Sequence, residues 1–482
     1  MSWEPVIGIE VHVELMTVSK MFCGCAVDFG GEPNTRVCPT CLGLPGALPV
    51  TNQAAIESIM SIGLALGCQV SERSVFHRKN YFYADLPKNY QISQFDVPVC
   101  HDGHLEVEVD GETRRIGIER AHMEEDTGKS THLGVGGRIH AAEGTLLDFN
   151  RSGVPLVEIV SRPDMRSAAE SRIYAQELRS LIAELGVSDV RLEEGSIRFD
   201  ANVSIRPRGE EPYGTKVEIK NMNSFRSLER AVDYEIERQV ELVESGGLVV
   251  QETRHWDEET GVTHSMRVKE GSSDYRYFTE PDLVPMVMSP DWVSEVRGRL
   301  PELPAHRRAR YVDQGLEIGT AVALSNLDRS LRAVYDEAVL SGAPAKSAAN
   351  WLTGEVVGWL RKTATANDEL RLDGPGLAEL VSMVDEGSLS SSAAKEVLDG
   401  VLSGEGPPRK VAQGRDLLQM SDTGALASAV DEVIAANPKA AEELRTGEEK
   451  VLGFLVGQVM KATQGKADPR AVNQMLRERL SG

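Results

Sequence analysis

At 482 residues, 41% of them hydrophobic and 26% charged, the chain has material for roughly two to four domains whose cores need no disulfide staples. No apolar run reaches the ~18–20 residues that span a bilayer, and Met1-Ser2-Trp3-Glu4-Pro5 has neither the basic start nor the apolar core of a secretory signal, so a cytoplasmic protein without a membrane segment is expected. The net charge of −22 argues against a nucleic-acid face spread over the whole molecule.

The first segment alternates. Ile7, Ile9, Val11, Val13 and Leu15 are apolar, and Gly8, Glu10, His12 and Glu14 fall between them, the pattern of a half-buried strand. Glu10 and His12 project from the same face, about 7 Å apart. Both can converge on one cation or one phosphate; the alternative is a solvated sheet face. Cys23-Gly-Cys25 and Cys38-Pro-Thr-Cys41 follow, twelve residues apart. Four thiolates give a closed tetrahedral zinc site with a structural role. The single residue inside the first pair is shorter than the usual spacing, and four unrelated buried thiols are the other reading. Cys68 and Cys100 stand alone, and a disulfide framework is not expected in a large cytoplasmic chain.

A helix is predicted from a cap at Thr51 to about Gly67. His122-Met-Glu124-Glu125-Asp126 is an acidic turn whose consecutive carboxylates repel unless water or a cation screens them. It reads as a metal-facing turn or as an exposed loop. Gly128-Lys129-Ser130 has the look of a P-loop end, but Met123 occupies the position where that pattern requires glycine. A glycine-rich stretch, Leu133 to Gly144, follows without an assigned role. Glu158 interrupts the apolar run Val154 to Val160. A buried carboxylate must be paired, protonated or bound to metal; a salt bridge to an arginine and a metal site are equal alternatives here. A second helix follows Asp164 and ends at Gly186. Ile197, Phe199, Ala201, Val203 and Ile205 then mark a strand whose polar face carries Asp200. Oxygen ligands with one imidazole suit Mg²⁺ or Mn²⁺. Arg151, Arg198, Arg206, Lys216, Lys220, Arg267, Lys269 and Arg276 supply cations for phosphate. A third helix runs from Asn223-Ser224 to Gly246-Gly247.

The prolines at 281, 285, 290, 301 and 304 mark a change of domain. Helical periodicity fills 305 to 405, and Gly404-Glu-Gly-Pro-Pro408 is a second break. The remainder is again helical. From Pro408 onward eleven Lys and Arg stand against ten Asp and Glu, net +1, leaving −23 for the rest. Salt screens fields beyond about 8 Å, so this piece is the part that tolerates a phosphate backbone. The expected organisation is a sheet-rich domain over 1–295, a helical domain over 296–406 and a helical tail over 407–482.

Several long segments together resemble the GatB family, whose members are subunits of aspartyl/glutamyl-tRNA amidotransferases. They are Val6-Ile-Gly-Ile-Glu-Val-His-Val-Glu-Leu15, Arg78-Lys-Asn-Tyr-Phe-Tyr83, Tyr90-Gln-Ile-Ser-Gln94, His122-Met-Glu-Glu-Asp-Thr-Gly128, Asn150-Arg-Ser-Gly-Val-Pro-Leu-Val-Glu158, Glu193-Glu-Gly-Ser196, Asp200-Ala-Asn202, Glu218-Ile-Lys-Asn221, Asp274-Tyr-Arg-Tyr-Phe278 and Gly453-Phe-Leu-Val-Gly-Gln-Val-Met460. They run in order from one end of the chain to the other. The resemblance implies an α+β chain: an antiparallel-sheet cradle with helices, an all-helical domain and a small YqeY-like helical tail that holds tRNA. It implies ATP- and Mg²⁺-dependent phosphorylation of the Glu or Asp side chain on mischarged tRNA(Gln) or tRNA(Asn). Ammonia from a separate glutaminase subunit then displaces the phosphate, and a small third subunit straps the assembly. It implies Mg²⁺ ligands at Glu10, His12, Glu125, Glu158 and Asp200; of the cations named above, Arg151, Arg198, Lys216 and Lys220 are expected to bind the cofactor. Family members differ in carrying the cysteine cluster, which supports the structural role for Zn²⁺ on Cys23, Cys25, Cys38 and Cys41 that the spacing suggests. From the residues alone, Glu124 and Glu125 are not distinguished. Two rivals are weaker. A tRNA-binding protein without activity would not need the carboxylates, and a glutaminase would need a Ser-Ser-Lys or Cys-His arrangement that is not seen.

Overall fold

The computed structural model describes residues 2–133, 143–268, 275–419, 423–446, 448–463 and 466–480. The chain divides into two units, Met1–Leu303 and Pro304–Gly482.

In the first unit the strands are β1 (Trp3–Glu14), β2 (Gln69–Val70), β3 (Arg73–Ser74), β4 (His77–Asn80), β5 (Tyr90–Ser93), β6 (Cys100–Val109), β7 (Glu112–Glu125) and β8 (Lys129–Leu133). They continue as β9 (Gly144–Asp148), β10 (Pro155–Ser161), β11 (Ile197–Pro207), β12 (Val217–Lys220), β13 (Glu252–Asp257), β14 (Val262–Val268), β15 (Phe278–Thr279) and β16 (Met286–Val287). Nine of them form one sheet in the order β14-β13-β12-β11-β1-β10-β7-β6-β2. The alternation of the N-terminal segment makes β1 its centre. Ile7, Ile9, Val11 and Val13 are fully buried, each worth roughly 1.5–3 kcal/mol. They share one apolar core with helices α1 (Gln53–Ala65), α2 (Ala168–Leu185) and α3 (Phe225–Glu244). The sheet's other face is left for Glu10, His12 and Glu14.

The helix boundaries follow local chemistry. Asn52, one residue past the expected Thr51, caps α1 by accepting from the amides of Ala54 and Ala55. Ser167 and Ser224 cap α2 and α3, and Gly186 closes α2 in the left-handed region at φ 68°. The α+β class is observed, with one exception to the expected antiparallel sheet. β12 and β13 pair in parallel, Glu218 opposite Thr253. The cause is α3, which returns the chain to the same end of the sheet between them.

β4 and β5 form a small sheet with β15. It brings Lys79, Gln91 and Ser93 against the end of β7. The glycine-rich residues 134 to 142 lie outside the described residues, as do Lys269 and the side chain of Arg267.

The second unit is helical among its described residues, with two apolar cores. One gathers residues from Tyr311 to Ala412 and the other residues from Leu426 to Leu480. No helix among the described residues is long and apolar enough to cross a membrane.

Candidate active site

Register fixes which side chains meet. His12 of β1 lies directly opposite Glu158 of β10, and Glu158 opposite His122 of β7. One row across three strands therefore carries imidazole, carboxylate and imidazole. His12 Nε2 stands 3.5 Å from Glu158 Oε2, and His122 Nε2 stands 3.6 Å from the same oxygen. Glu124, two residues along β7, reaches the same place. Donor atoms of His12, Glu124 and Glu158 all lie within 4.8 Å of one another. Glu124 accepts from Ser93 Oγ at 2.8 Å and Gln91 Nε2 at 3.0 Å, with Lys79 Nζ at 3.5 Å.

The next row on the other side of His12 pairs Glu10 with Asp200. Glu218 of β12 joins them, and these three also offer oxygens within 4.8 Å of one another. Lys220 Nζ donates to Asp200 Oδ2 at 2.6 Å and lies 3.5 Å from Glu218. Asn202 Nδ2 donates to Glu10 Oε1 at 2.9 Å.

The electrostatics mark both groups as places for positive charge. Burial and the neighbouring Glu158, Glu218 and Asp200 carboxylates raise Glu10 above the ordinary carboxylate range. Burial works against a charged His12, but the Glu158 carboxylate outweighs it and raises the imidazole. Burial likewise opposes ionised Glu158 and Glu124. His122, His12 and Lys79 hold Glu158 low; Lys79 and His122 do the same for Glu124. His122 Nδ1 is buried without a hydrogen-bond partner.

Glu125, expected among the ligands, joins neither group here, and the cause is simple. Adjacent strand residues face opposite ways. With Glu124 turned to His12 and Glu158, Glu125 turns instead to the Lys88 ammonium and accepts from the Ile92 amide at 2.9 Å. It lines a cavity of about 190 Å³ with Lys88, Tyr90, Gly153 and the thiol-bearing Cys23 and Cys41.

The expected cations divide. Arg198 and Arg151 flank Asp126, at 2.9 and 3.7 Å, so both are engaged by a carboxylate. Beside them Glu14 is pushed up to about 8 by burial and by Asp126. Arg206 pairs with Glu4 at 2.7 Å. Arg276 adopts φ 46° at the start of the segment leading to β15. Lys216 lines a second cavity beside Glu10. Lys220 is the expected cation that reaches the carboxylates. Sequence reasoning missed His122, Lys79 and Glu218. All three lie inside the quoted motifs, and only the register of β7, β4 and β12 singles them out.

The four clustered cysteines do converge, with sulfurs within 4.8 Å of one another. A tetrahedral zinc with Zn–S near 2.3 Å asks for sulfurs about 3.8 Å apart, so small adjustments suffice. Cys41 is drawn down to about 5 by hydrogen bonding from Cys23, by the Cys38 amide and by the Lys20 ammonium. Lys20 is itself buried, 3.7 Å from Cys41 Sγ, and donates to the Arg36 carbonyl at 2.8 Å. The set can hold a metal ion.

Comparison with known proteins gives the family. Residues 5–294 match the family profile of the GatB/GatE catalytic domain, and residues 333–480 match that of the GatB domain. The chain is 50% identical over 480 residues to the aspartyl/glutamyl-tRNA(Asn/Gln) amidotransferase B-subunit of Carboxydothermus hydrogenoformans, covering 99% of each. It is 51% identical over 482 residues to the protein of the same name in Moorella thermoacetica and 49% over 483 residues to that of Geobacter sulfurreducens, covering both chains fully in each pair.

Proposed function

This chain belongs to the GatB family of aspartyl/glutamyl-tRNA amidotransferases, C–N bond-forming ligases, and from that premise we propose that its sheet unit activates the side-chain carboxylate of Glu-tRNA(Gln) and/or Asp-tRNA(Asn) with ATP. A carboxylate oxygen attacks the γ-phosphorus, ADP leaves, and an acyl phosphate forms. Ammonia then attacks the carbonyl carbon, loses a proton and expels phosphate, which is a far better leaving group than hydroxide. The ammonia comes from glutamine on a separate glutaminase subunit, and a small third subunit makes the assembly a cytoplasmic heterotrimer.

The observation that carries the proposal is the pair of adjoining carboxylate groups on the polar face of the sheet. His12, Glu124 and Glu158 form one, and Glu10, Asp200 and Glu218 the other. Oxygen-rich sets with one imidazole fit hard divalent ions. Mg²⁺ held there would screen the charge that builds on the transferring phosphoryl group. Lys79 and Lys220 border the two groups and would add fixed positive charge at each end. His122 orients Glu158 and Glu124 from behind. Structural Zn²⁺ on Cys23, Cys25, Cys38 and Cys41 would stiffen the segment that packs behind Glu125. The tail from residue 407 would hold the tRNA.

The test is transfer of the γ-phosphate of labelled ATP to Glu-tRNA(Gln) by the assembled enzyme, with glutamine hydrolysis assayed separately. Loss of transfer in Glu158→Gln, with glutaminase activity retained, supports the reading. Unimpaired transfer sinks it.

A further inference from the structure

Lys20 lies between β1 and α1, is only 1% exposed, and has no part in the chemistry above. An ammonium has three N–H donors, and three acceptors surround this one. Nζ donates to the Arg36 carbonyl at 2.8 Å, to the Phe149 carbonyl at 3.4 Å and to Cys41 Sγ at 3.7 Å. No carboxylate pairs with it among the described residues. A buried charge is strongly unfavourable without a counter-charge. Both carbonyls are neutral, so of the three acceptors only the sulfur can supply one.

The cysteine cluster has the complementary need. Zn²⁺ with four thiolates carries two net negative charges. Cys41 is the buried member, and its sulfur accepts from the Cys38 amide at 3.1 Å as well as from Lys20. Arg36, nearby, is turned instead to Asp28. Among the described residues Lys20 is the cation that reaches a cluster sulfur.

Lys20 also reaches the loop 149–153. Around its bond to the Phe149 carbonyl, the Met21 amide donates to the Gly153 carbonyl at 2.8 Å and the Arg36 amide to Asn150 Oδ1 at 2.8 Å. Gly153 lies between the cluster and the end of β7. A Cβ added there would stand 3.4 Å from Cys41, 3.5 Å from Lys20 and 3.9 Å from Glu125 Oε2. Arg151 of the same loop donates to the Thr127 carbonyl at 3.0 Å and pairs with Asp126.

Resting on the reading that the four thiolates hold zinc, we propose that Lys20 is the buried counter-charge of the metal–thiolate centre and the positioning residue that ties metal occupancy to the loop 149–153. With zinc bound, the ammonium, the Cys41 sulfur and the two carbonyls form one fully bonded group. Without zinc nothing holds the four sulfurs together. Lys20 then loses its fixed counter-charge and turns to water, which releases the Phe149 carbonyl and loosens the loop that carries Arg151 to β7.

The full-length chain is loaded with zinc and titrated with a chromophoric chelator. Lys20→Met, similar in length but uncharged, should bind zinc about ten- to a hundredfold more weakly, the usual cost of losing an outer-shell partner. In the cobalt-substituted chain, the thiolate-to-metal charge-transfer band should move to longer wavelength in Lys20→Met. A hydrogen bond to sulfur lowers the energy of the electrons that are transferred, and packing alone would leave the band in place. The wild type gives a second readout, which decides alone if Lys20→Met does not fold. Acetylation of Lys20, followed by mass spectrometry, should be at least about tenfold faster once zinc is chelated, with Lys79 unchanged. A wild type that takes up no zinc sinks the zinc reading and the proposal with it. Zinc uptake with affinities within about twofold in wild type and Lys20→Met, or an unmoved charge-transfer band, overturns the proposal and leaves the zinc site standing. So does Lys20 labelling that ignores the metal, or that rises no more than Lys79.

Discussion

Glu124 and Glu125 are neighbours in sequence with opposite surroundings, and substituting each by glutamine separates their roles. Glu124 shares its pocket with His12 and Glu158, donor atoms within 4.8 Å. Two unit charges about 4 Å apart interact by about 4 kcal/mol at an effective dielectric near 20. A divalent ion feels twice that, offset in part by the desolvation of ion and ligand. A net loss of about 3 kcal/mol in Glu124→Gln lowers Mn²⁺ affinity by roughly two decades. Glu125→Gln instead removes the charge that faces Lys88, whose side chain is 7% exposed. The amide oxygen still accepts one hydrogen bond, so the cost is partial, about 2 kcal/mol, and Tm falls by about 4–8 °C. Mn²⁺ affinity, read by electron paramagnetic resonance, should change less than about threefold in Glu125→Gln. The reasoning is refuted if Glu124→Gln binds Mn²⁺ normally while Glu125→Gln does not.

Three further outcomes are expected. The purified chain should carry about one equivalent of zinc per thiol cluster; Cys41→Ser should lose it and unfold at a lower temperature, checked by metal analysis and calorimetry. Glu14, pushed up to about 8, stays protonated when folded across a range where the unfolded chain has released its proton. Its stabilisation is therefore present below its unfolded value and lost as pH rises toward 8, by at most about 1.4 kcal/mol per unit. Urea melts between about pH 5.5 and 8.5 should show a flatter pH dependence in Glu14→Gln than in the wild type. Truncation after Gly406 should raise the KM for aminoacyl-tRNA about tenfold or more and weaken its salt dependence, while the KM for ATP stays put; equal tRNA affinity would remove the tail from the binding surface.

What could be read in the sequence was whatever depends on neighbours along the chain. The period of two in Ile7 to Leu15 marked β1 and its polar face. Thr51, Asp164 and Asn223-Ser224 before apolar runs, with glycine after them, bounded α1, α2 and α3 to within a few residues of the observed caps Asn52, Ser167 and Ser224. The four cysteines could be grouped because two short spacings carry them. What could not be read depends on register between strands distant in sequence. His12 and Glu158 lie far apart along the chain and meet because β1 and β10 pair antiparallel with these residues opposed. Whether Glu124 or Glu125 faces them depends on one residue of phase in β7, and a slip of one exchanges every side chain between faces. The parallel step from β12 to β13 was hidden for the same reason.

That dependence on phase also explains how one strand end serves several tasks. β7 leads into three consecutive carboxylates, and pleating sends them apart. Glu124 goes to the His12 and Glu158 group, Glu125 to Lys88 beside the cysteine cluster, and Asp126 to Arg151 and Arg198. Each acid finds its own cation within 4 Å, so the repulsion that the sequence alone suggests is relieved by side chains and not by solvent. The three are then coupled through the backbone of one strand. A shift of β7 by a fraction of an ångström moves the carboxylate beside His12 and Glu158, a buried ion pair and an arginine pair together. A substitution at any of the three should therefore be read at the other two as well, and a double-mutant cycle between Glu124→Gln and Asp126→Asn should give a coupling energy clearly different from zero. Additive effects would mean that the strand end is three independent sites that merely adjoin.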